Sequence, residues 1–235
     1  MTTPEILQLL ESLGSPATKK VLMKHGIPEP LYAVKIEELK KIQKKTKQNH
    51  ALSLELYATG IYDAMYLAGI IAEPMKMTEA ELQNWVSLAK APVIYETIVA
   101  GVAAESPFGL KLALQWIDSE HAGIRTCGWS VLSFLVSIKP DEELDMDLLK
   151  KLMRRVAENI QTSPNRVKMT MNSFIISTGV YVTALNGLAK ETADKIGKVN
   201  VDMGDTACKV PSAREYIEKA ESKNGLGKKR TYTIC

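Results

Sequence analysis

The sequence predicts an all-α protein assembled from short stacked helix pairs, and three observations predict it. Apolar residues recur at helical spacing along almost the whole chain. Breaks containing Pro or Gly separate these stretches into segments of helix length. No run alternates apolar and polar residues between hairpin turns before residue 198.

Taken in order, Ile6, Leu9, Leu10 and Leu13 fall at i, i+3, i+4 and i+7, one buried helical face. Gly14-Ser15-Pro16 stops that helix and caps the next, which runs to about His25. Gly26 to Pro30 is a loop. Ile36, Leu39 and Ile42 then mark a helix dense in base: Lys35, Lys40, Lys41, Lys44, Lys45 and Lys47. Further breaks fall at Thr59-Gly60, Glu73-Pro74, Ala91-Pro92, Ser106-Pro107, Ser119 to Gly123, Lys139-Pro140, Ser163-Pro164 and Gly179. Between them apolar residues cluster at Leu110, Leu112, Leu114 and Trp116, and at Leu148, Leu149, Leu152 and Met153. Trp85, Trp116 and the methionines Met65, Met146, Met153, Met169 and Met171 read as packing residues.

Two helices per ~40 residues with tight breaks is the spacing of a HEAT-like α-solenoid, a curved superhelix of antiparallel helix pairs. A compact orthogonal bundle is the alternative. Residues 1–197 are expected to form this repeat domain. The stretch 198–235 reads as a loop with a short extended piece, a helix capped by Ser212 and running through Ala220, and a basic tail packed on or trailing from the same domain. That tail, Gly225 to Cys235, is either a frayed end or a flexible arm that contacts phosphate.

Thirty basic residues against 27 acidic ones give a net charge of +3. Any polyanion binding must therefore come from clustering on one face. Hydrophobic residues make up 46% and charged residues 24%, an ordinary balance for a folded core. Cys127, Cys208 and Cys235 are widely spaced and only His25, His50 and His121 could join them, so no metal site and no cofactor are expected. Cys127 sits among apolar residues and reads as inert, while Cys208 and Cys235 could pair only under oxidation. No apolar run approaches the ~20 residues that span a bilayer. The N-terminus opens as an amphipathic helix, not a signal peptide. A cytoplasmic protein with no membrane partner is the expectation.

Several stretches together resemble the AlkD-like DNA alkylation repair family, the HEAT-like-repeat DNA glycosylases. Leu31-Tyr32-Ala33-Val34-Lys35-Ile36-Glu37-Glu38-Leu39-Lys40-Lys41-Ile42 resembles its element Y-G-V followed by a basic, apolar pattern. Leu56 to Ala68 is similar to its helix pair L-W-x-S-x-x-x-E-x-r-x-L-A, and Trp116 to Trp129 to its turn W-x-x-S-x-x-x-W-x-R-R. The likeness runs over about residues 30–190. It implies a solenoid that cradles duplex DNA and excises positively charged N3- or N7-alkylated purines. Such a lesion weakens its own bond to the sugar. Excision then needs a carboxylate to stabilise an oxocarbenium-like sugar and an aromatic surface to hold the cation.

On this resemblance Glu96 is the carboxylate and Arg125 the family arginine, the two candidate catalytic residues. Tyr95, Trp129, Arg166, Lys168 and Asn172 are the candidate DNA-binding residues. Pro92 and Asn172 stand where the family carries tryptophans, so Tyr95 and Trp129 are the aromatic substitutes at hand. From the residues themselves, Arg125 either clamps a phosphate or pairs with Asp118 or Glu120. Arg154-Arg155 and the lysine-rich helix read as solvated faces, and a phosphate partner would relieve the repulsion among the lysines. The expected protein is a monomer that binds duplex DNA, alkylated or distorted. The alternatives are a binding module whose excision site has decayed, and a protein-binding scaffold.

Overall fold

The computed structural model describes residues 1–202 and 209–233. Among these the regular structure is helical throughout, with thirteen α-helices, short 3-10 turns, one π-helical stretch and no strand. The breaks read from the sequence are mostly helix caps. Ser15 Oγ accepts the Thr18 amide, Asn49 Oδ1 accepts that of Leu52, and Asp145 Oδ1 accepts those of Asp147 and Leu148. Each satisfies amides that a helix start otherwise leaves without a partner.

The helices fall into two compact units, Met1–Phe108 and Gly109–Asp202, the second continued by the C-terminal residues to Thr233. The first holds α1 (Thr3–Leu13), α2 (Pro16–Lys24), α3 (Ile36–Thr46), α4 (His50–Ala58), α5 (Tyr62–Ile71), α6 (Glu79–Leu88) and α7 (Ala100–Glu105). Helix α5 is buried along its whole face range because α3, α4 and the turn before α7 all pack on it. That turn, Ile94–Val99, is π-helical, and Gly69 of α5 leaves no room for a Cβ against Ile98 within it. Pro92 opens the helical run that the π turn continues, so the Ala91-Pro92 break is a helix start. Tyr57 stacks flat on Trp85, centroids 4.1 Å apart, and its hydroxyl donates to the Trp85 carbonyl at 2.7 Å. On the same unit, burial pushes the phenols of Tyr62 and Tyr66 above their ordinary range.

Asp63 is fully buried, and its carboxylate accepts the amides of Tyr32, Ala33 and Val34 at 2.6, 3.1 and 2.8 Å. The loop can turn three amides onto one side chain because Ala33 adopts a left-handed backbone, φ 64°. The loop residues and Asp63 lie about 30 positions apart, and this contact ties the loop to α5.

The second unit holds α8 (Gly109–Trp116), α9 (Ala122–Ile138), α10 (Met146–Asn159), α11 (Asn165–Tyr181), α12 (Asn186–Ile196) and α13 (Ala213–Ser222). Helix α9 packs on α8 and α11, and α11 packs in turn on α12 and α13. Its core includes Trp116, Trp129, Val131, Phe174 and Ile217. Ser212 does cap α13, through the Glu215 amide.

Three expectations need correction. Gly179 is not a break: it lies within α11, where a Cβ would come to 2.6 Å from Ile217 Cδ1, so close packing of α13 accounts for the glycine. Leu110 is 45% exposed, while Leu112 and Trp116 of the same expected cluster are buried together with Ala113. Of the readings of the basic tail, its described residues 225–233 follow the packed one, and they are neither frayed nor a free arm. Gly227 N–H donates to Val180 O, Arg230 N–H to Ser137 O and Lys229 Nζ to Val136 O, while Lys229 also pairs with Asp141 at 2.8 Å. Lys229 thereby places its charge at the carbonyl end of α9, where a helix dipole favours cations. Cys208 and Cys235 lie outside the described residues, as does part of the loop read as extended.

Candidate nucleic-acid interface

The segment Ile117 to His121 joins α8 to α9, and its Ile117 and Ser119 carbonyls each accept from an arginine side chain. Gly128 of α9 lets the segment pack closely: a Cβ there would meet the Ile117 amide nitrogen at 2.7 Å. His121 caps α9, and Arg125 follows in the first turns of the helix. The Arg125 side chain folds back so that Nε donates to the Ser119 carbonyl at 3.0 Å. Its terminal nitrogens make no hydrogen bond among the described residues, so the outer edge of the guanidinium keeps its donors.

Arg155 reaches the same segment from α10. Its Nη2 donates to the Ile117 carbonyl at 3.2 Å and pairs with Asp118 Oδ1 at 2.5 Å. Its guanidinium carbon stands 5.9 Å above the Trp129 ring centroid, within cation–π range. Trp129 itself is 1% exposed and tilted against Phe174, centroids 5.5 Å apart. Together Arg125, Arg155, Trp129, Ser163 and Met171 line a cleft of about 310 Å³ within the second unit. Its charged lining is two arginines against Asp118, a local excess of one positive charge.

The structure therefore brings Arg125 and Trp129 together, with Trp129 outside the aromatic role expected from the sequence. Trp129 forms the floor of the cleft with its face already covered by Arg155, so it is not a stacking surface for a base. Asp118, expected as a partner of Arg125, pairs with Arg155. Arg155, a solvated residue by the sequence expectation, is half-buried in the site. One signal for it was available: it follows buried Leu152 by three positions and precedes buried Val156, at the edge of the apolar stripe of α10.

Two other candidates face inward. Tyr95 is 6% exposed and its hydroxyl donates to the Ala89 carbonyl, which removes it from any DNA-facing surface. Asn172 is 1% exposed and its Nδ2 donates to the Pro211 carbonyl at 2.9 Å, bracing α11 against the C-terminal segment. Arg166 and Lys168 are both half-buried and flank Val167, which lines the cleft. Glu96 belongs to the first unit, half-buried on the π-helical turn, a local geometry frequent at functional sites. On α3 the lysines Lys40, Lys44 and Lys45 are exposed, and Lys41 pairs with Glu38 at 2.6 Å. Among the described residues no helix is long and apolar enough to cross a membrane.

Comparison with known proteins places this geometry in a family. Residues 6–188 match the family described as DNA alkylation repair enzyme. Two uncharacterized relatives, Lmo0209 of Listeria monocytogenes and Lin0241 of Listeria innocua, are each 34% identical over 219 residues, 91% of this chain and 95% of theirs. A solved structure, described as a new family of proteins related to the HEAT-like repeat DNA glycosylases with affinity for branched DNA structures, matches with a TM-score of 0.92 and 34% identity across 100% of both chains. The all-helical fold is thus the HEAT-like repeat fold expected from helix spacing. The chain belongs to the DNA alkylation repair enzyme family.

Proposed function

We propose that this protein binds DNA, with branched or otherwise distorted duplex preferred over linear duplex, and that Arg125 contributes to the contact with the phosphate backbone. The observation that carries the proposal is the full-length match to a structure described as having affinity for branched DNA, at a TM-score of 0.92 and 34% identity. The arginine cleft supports it from the chemistry. A guanidinium with free donors, positioned in advance by a backbone carbonyl, suits a phosphate oxygen. With a net charge of only +3, such local placement has to supply the attraction.

Fluorescence anisotropy with a labelled four-way junction and a linear duplex of the same length tests the proposal. Tighter binding to the junction is expected, weakening steeply between ~50 and ~200 mM salt as condensed counterions are released. Equal affinity for the two forms, or binding that ignores salt, would overturn it.

A second reading is excision of alkylated purines with Glu96 as the carboxylate. The family's description as repair enzymes and the π-helical setting of Glu96 favour it. The inward positions of Tyr95 and Asn172 favour binding without excision, because neither offers a face to a cationic base. Duplex carrying N7-methylguanine decides between them. Release of the base that disappears in Glu96→Gln supports excision, and release no faster than in the buffer control rejects it.

A further inference from the structure

Arg155 is held in a way that an ordinary structural arginine is not. Asp118 touches it through one oxygen on one guanidinium nitrogen, leaving the rest of the planar fork without an acceptor among the described residues except the Ile117 carbonyl on that same nitrogen. The carboxylate is the more exposed partner, at 66% of its side chain against 39% for the arginine. An exposed single-contact ion pair contributes little to stability, so it does not by itself explain why a guanidinium is kept above Trp129. The neighbouring Arg125 is fixed by Ser119 from the same backbone segment. Two guanidinium groups are thus set in one cleft by two carbonyls of one loop, Ile117 and Ser119, with their conformational freedom reduced before any ligand arrives. The one negative charge lining the cleft is the exposed Asp118 carboxylate.

We propose that Arg155 is a second phosphate-binding residue beside Arg125, and that Asp118 occupies its fork until a phosphate group displaces it. As a statement about DNA this rests on the DNA-binding reading above; as a statement about the cleft it concerns any phosphate. A phosphodiester offers two non-bridging oxygens, sharing one negative charge, to two guanidinium groups, which the single Asp118 contact does not match. Asp118 then acts as an internal competitor. It keeps Arg155 aligned when no ligand is present and lowers affinity for weak anions that cannot dislodge it. Trp129 below gives the Arg155 fork, once Asp118 is displaced, a face on which to keep its orientation.

The test uses the full chain and four variants, each first checked for an unchanged helical circular dichroism spectrum. Asp118→Asn should tighten binding to a labelled four-way junction by about threefold, since it removes the competing charge from a solvated position. Arg155→Ala should weaken it about tenfold and lower the salt slope by about one. Arg155→Lys should fall between, keeping charge but losing the fork. Unchanged or weaker binding in Asp118→Asn, with the wild type binding normally, would overturn the role of Arg155 while leaving DNA binding intact. A parallel titration with inorganic phosphate, read by tryptophan emission with Trp129→Phe as the blank, separates the sources of the ligand. A response to phosphate that vanishes in Arg155→Ala, in a protein that binds no DNA, would keep the phosphate site and reject the DNA reading. No response to either ligand rejects both.

Discussion

Arg155 lies over the face of Trp129, its guanidinium carbon 5.9 Å from the ring centroid, and this one contact decides what the cleft can do. A tryptophan that might have stacked on a base becomes a floor, and the arginine above it becomes the group facing outward. The two residues therefore carry separable loads. Trp129 is fully packed against Phe174, so Trp129→Ala should cost about 3–5 kcal/mol of stability through the cavity it leaves. Arg155→Ala should cost about 1 kcal/mol or less, since it loses a partly exposed cation–π contact and surface hydrogen bonds. Urea unfolding followed by circular dichroism measures both, and equal costs would contradict this division.

Asn172 serves as an internal strut between α11 and the C-terminal segment. Asn172→Ala should cost about 1–2 kcal/mol by leaving the Pro211 carbonyl without its donor. It should also speed proteolysis after residue 210 at temperatures where the wild type resists. Asn172→Trp should be worse folded, by about 1–3 kcal/mol, because a position 1% exposed has no room for an indole. A gain of stability in that variant would show that the site is less packed than described.

Ala33 and Asp63 offer a test of backbone strain. An alanine at φ 64° is held there by the three amides bonded to the Asp63 carboxylate. Ala33→Gly should raise stability by about 0.5–1 kcal/mol, the left-handed penalty relieved less the extra freedom of glycine in the unfolded chain. Asp63→Asn should lower it by about 2–3 kcal/mol, because charge-assisted bonds are replaced and one amide oxygen cannot serve all three donors. Thermal unfolding reads both, with opposite signs expected.

Glu81 links stability to pH. It closes a capping box with Thr78 at the start of α6, its Oε2 accepting the Thr78 amide at 2.7 Å. Burial alone would raise its pKa, but the hydrogen bonds from Thr78 and the proximity of His50 outweigh this and hold it below the ordinary 4.5. A carboxyl with a lowered folded pKa stabilises the fold above its unfolded value, and that contribution drains away as pH falls through the folded value. The unfolding midpoint of the wild type should therefore drop more between about pH 6 and about pH 3 than that of Glu81→Gln. Parallel curves for the two proteins would remove Glu81 from the acid response.

Local features were legible in the chain itself. Gly14-Ser15-Pro16 and Ser212 were readable as a stop and as caps because a cap involves only residues a few positions apart, whatever packs around it. The helical period marked Ile6, Leu10, Leu39 and Ile42 as core, since a helix buries one stripe regardless of its partner. The resemblance found the family through such spaced positions, and it named Arg125, which lines the cleft.

The same reading misjudged residues whose roles depend on segments far away in sequence. Gly179 looked like a break, and only the approach of Ile217 explains it as a packing residue. Tyr95 and Asn172 looked like aromatic and polar candidates for a groove, and their partners Ala89 and Pro211 turn them inward. Arg155 looked solvated until Ile117 and Asp118, 38 and 37 positions earlier, closed on it. By itself the sequence determined that this chain is a series of capped amphipathic helices of a recognisable family, because helix periodicity and capping are short-range physics. Which arginine meets which carboxylate, and which aromatic is floor and which is core, was decided only in the tertiary structure, where packing between distant helices assigns each polar group its partner.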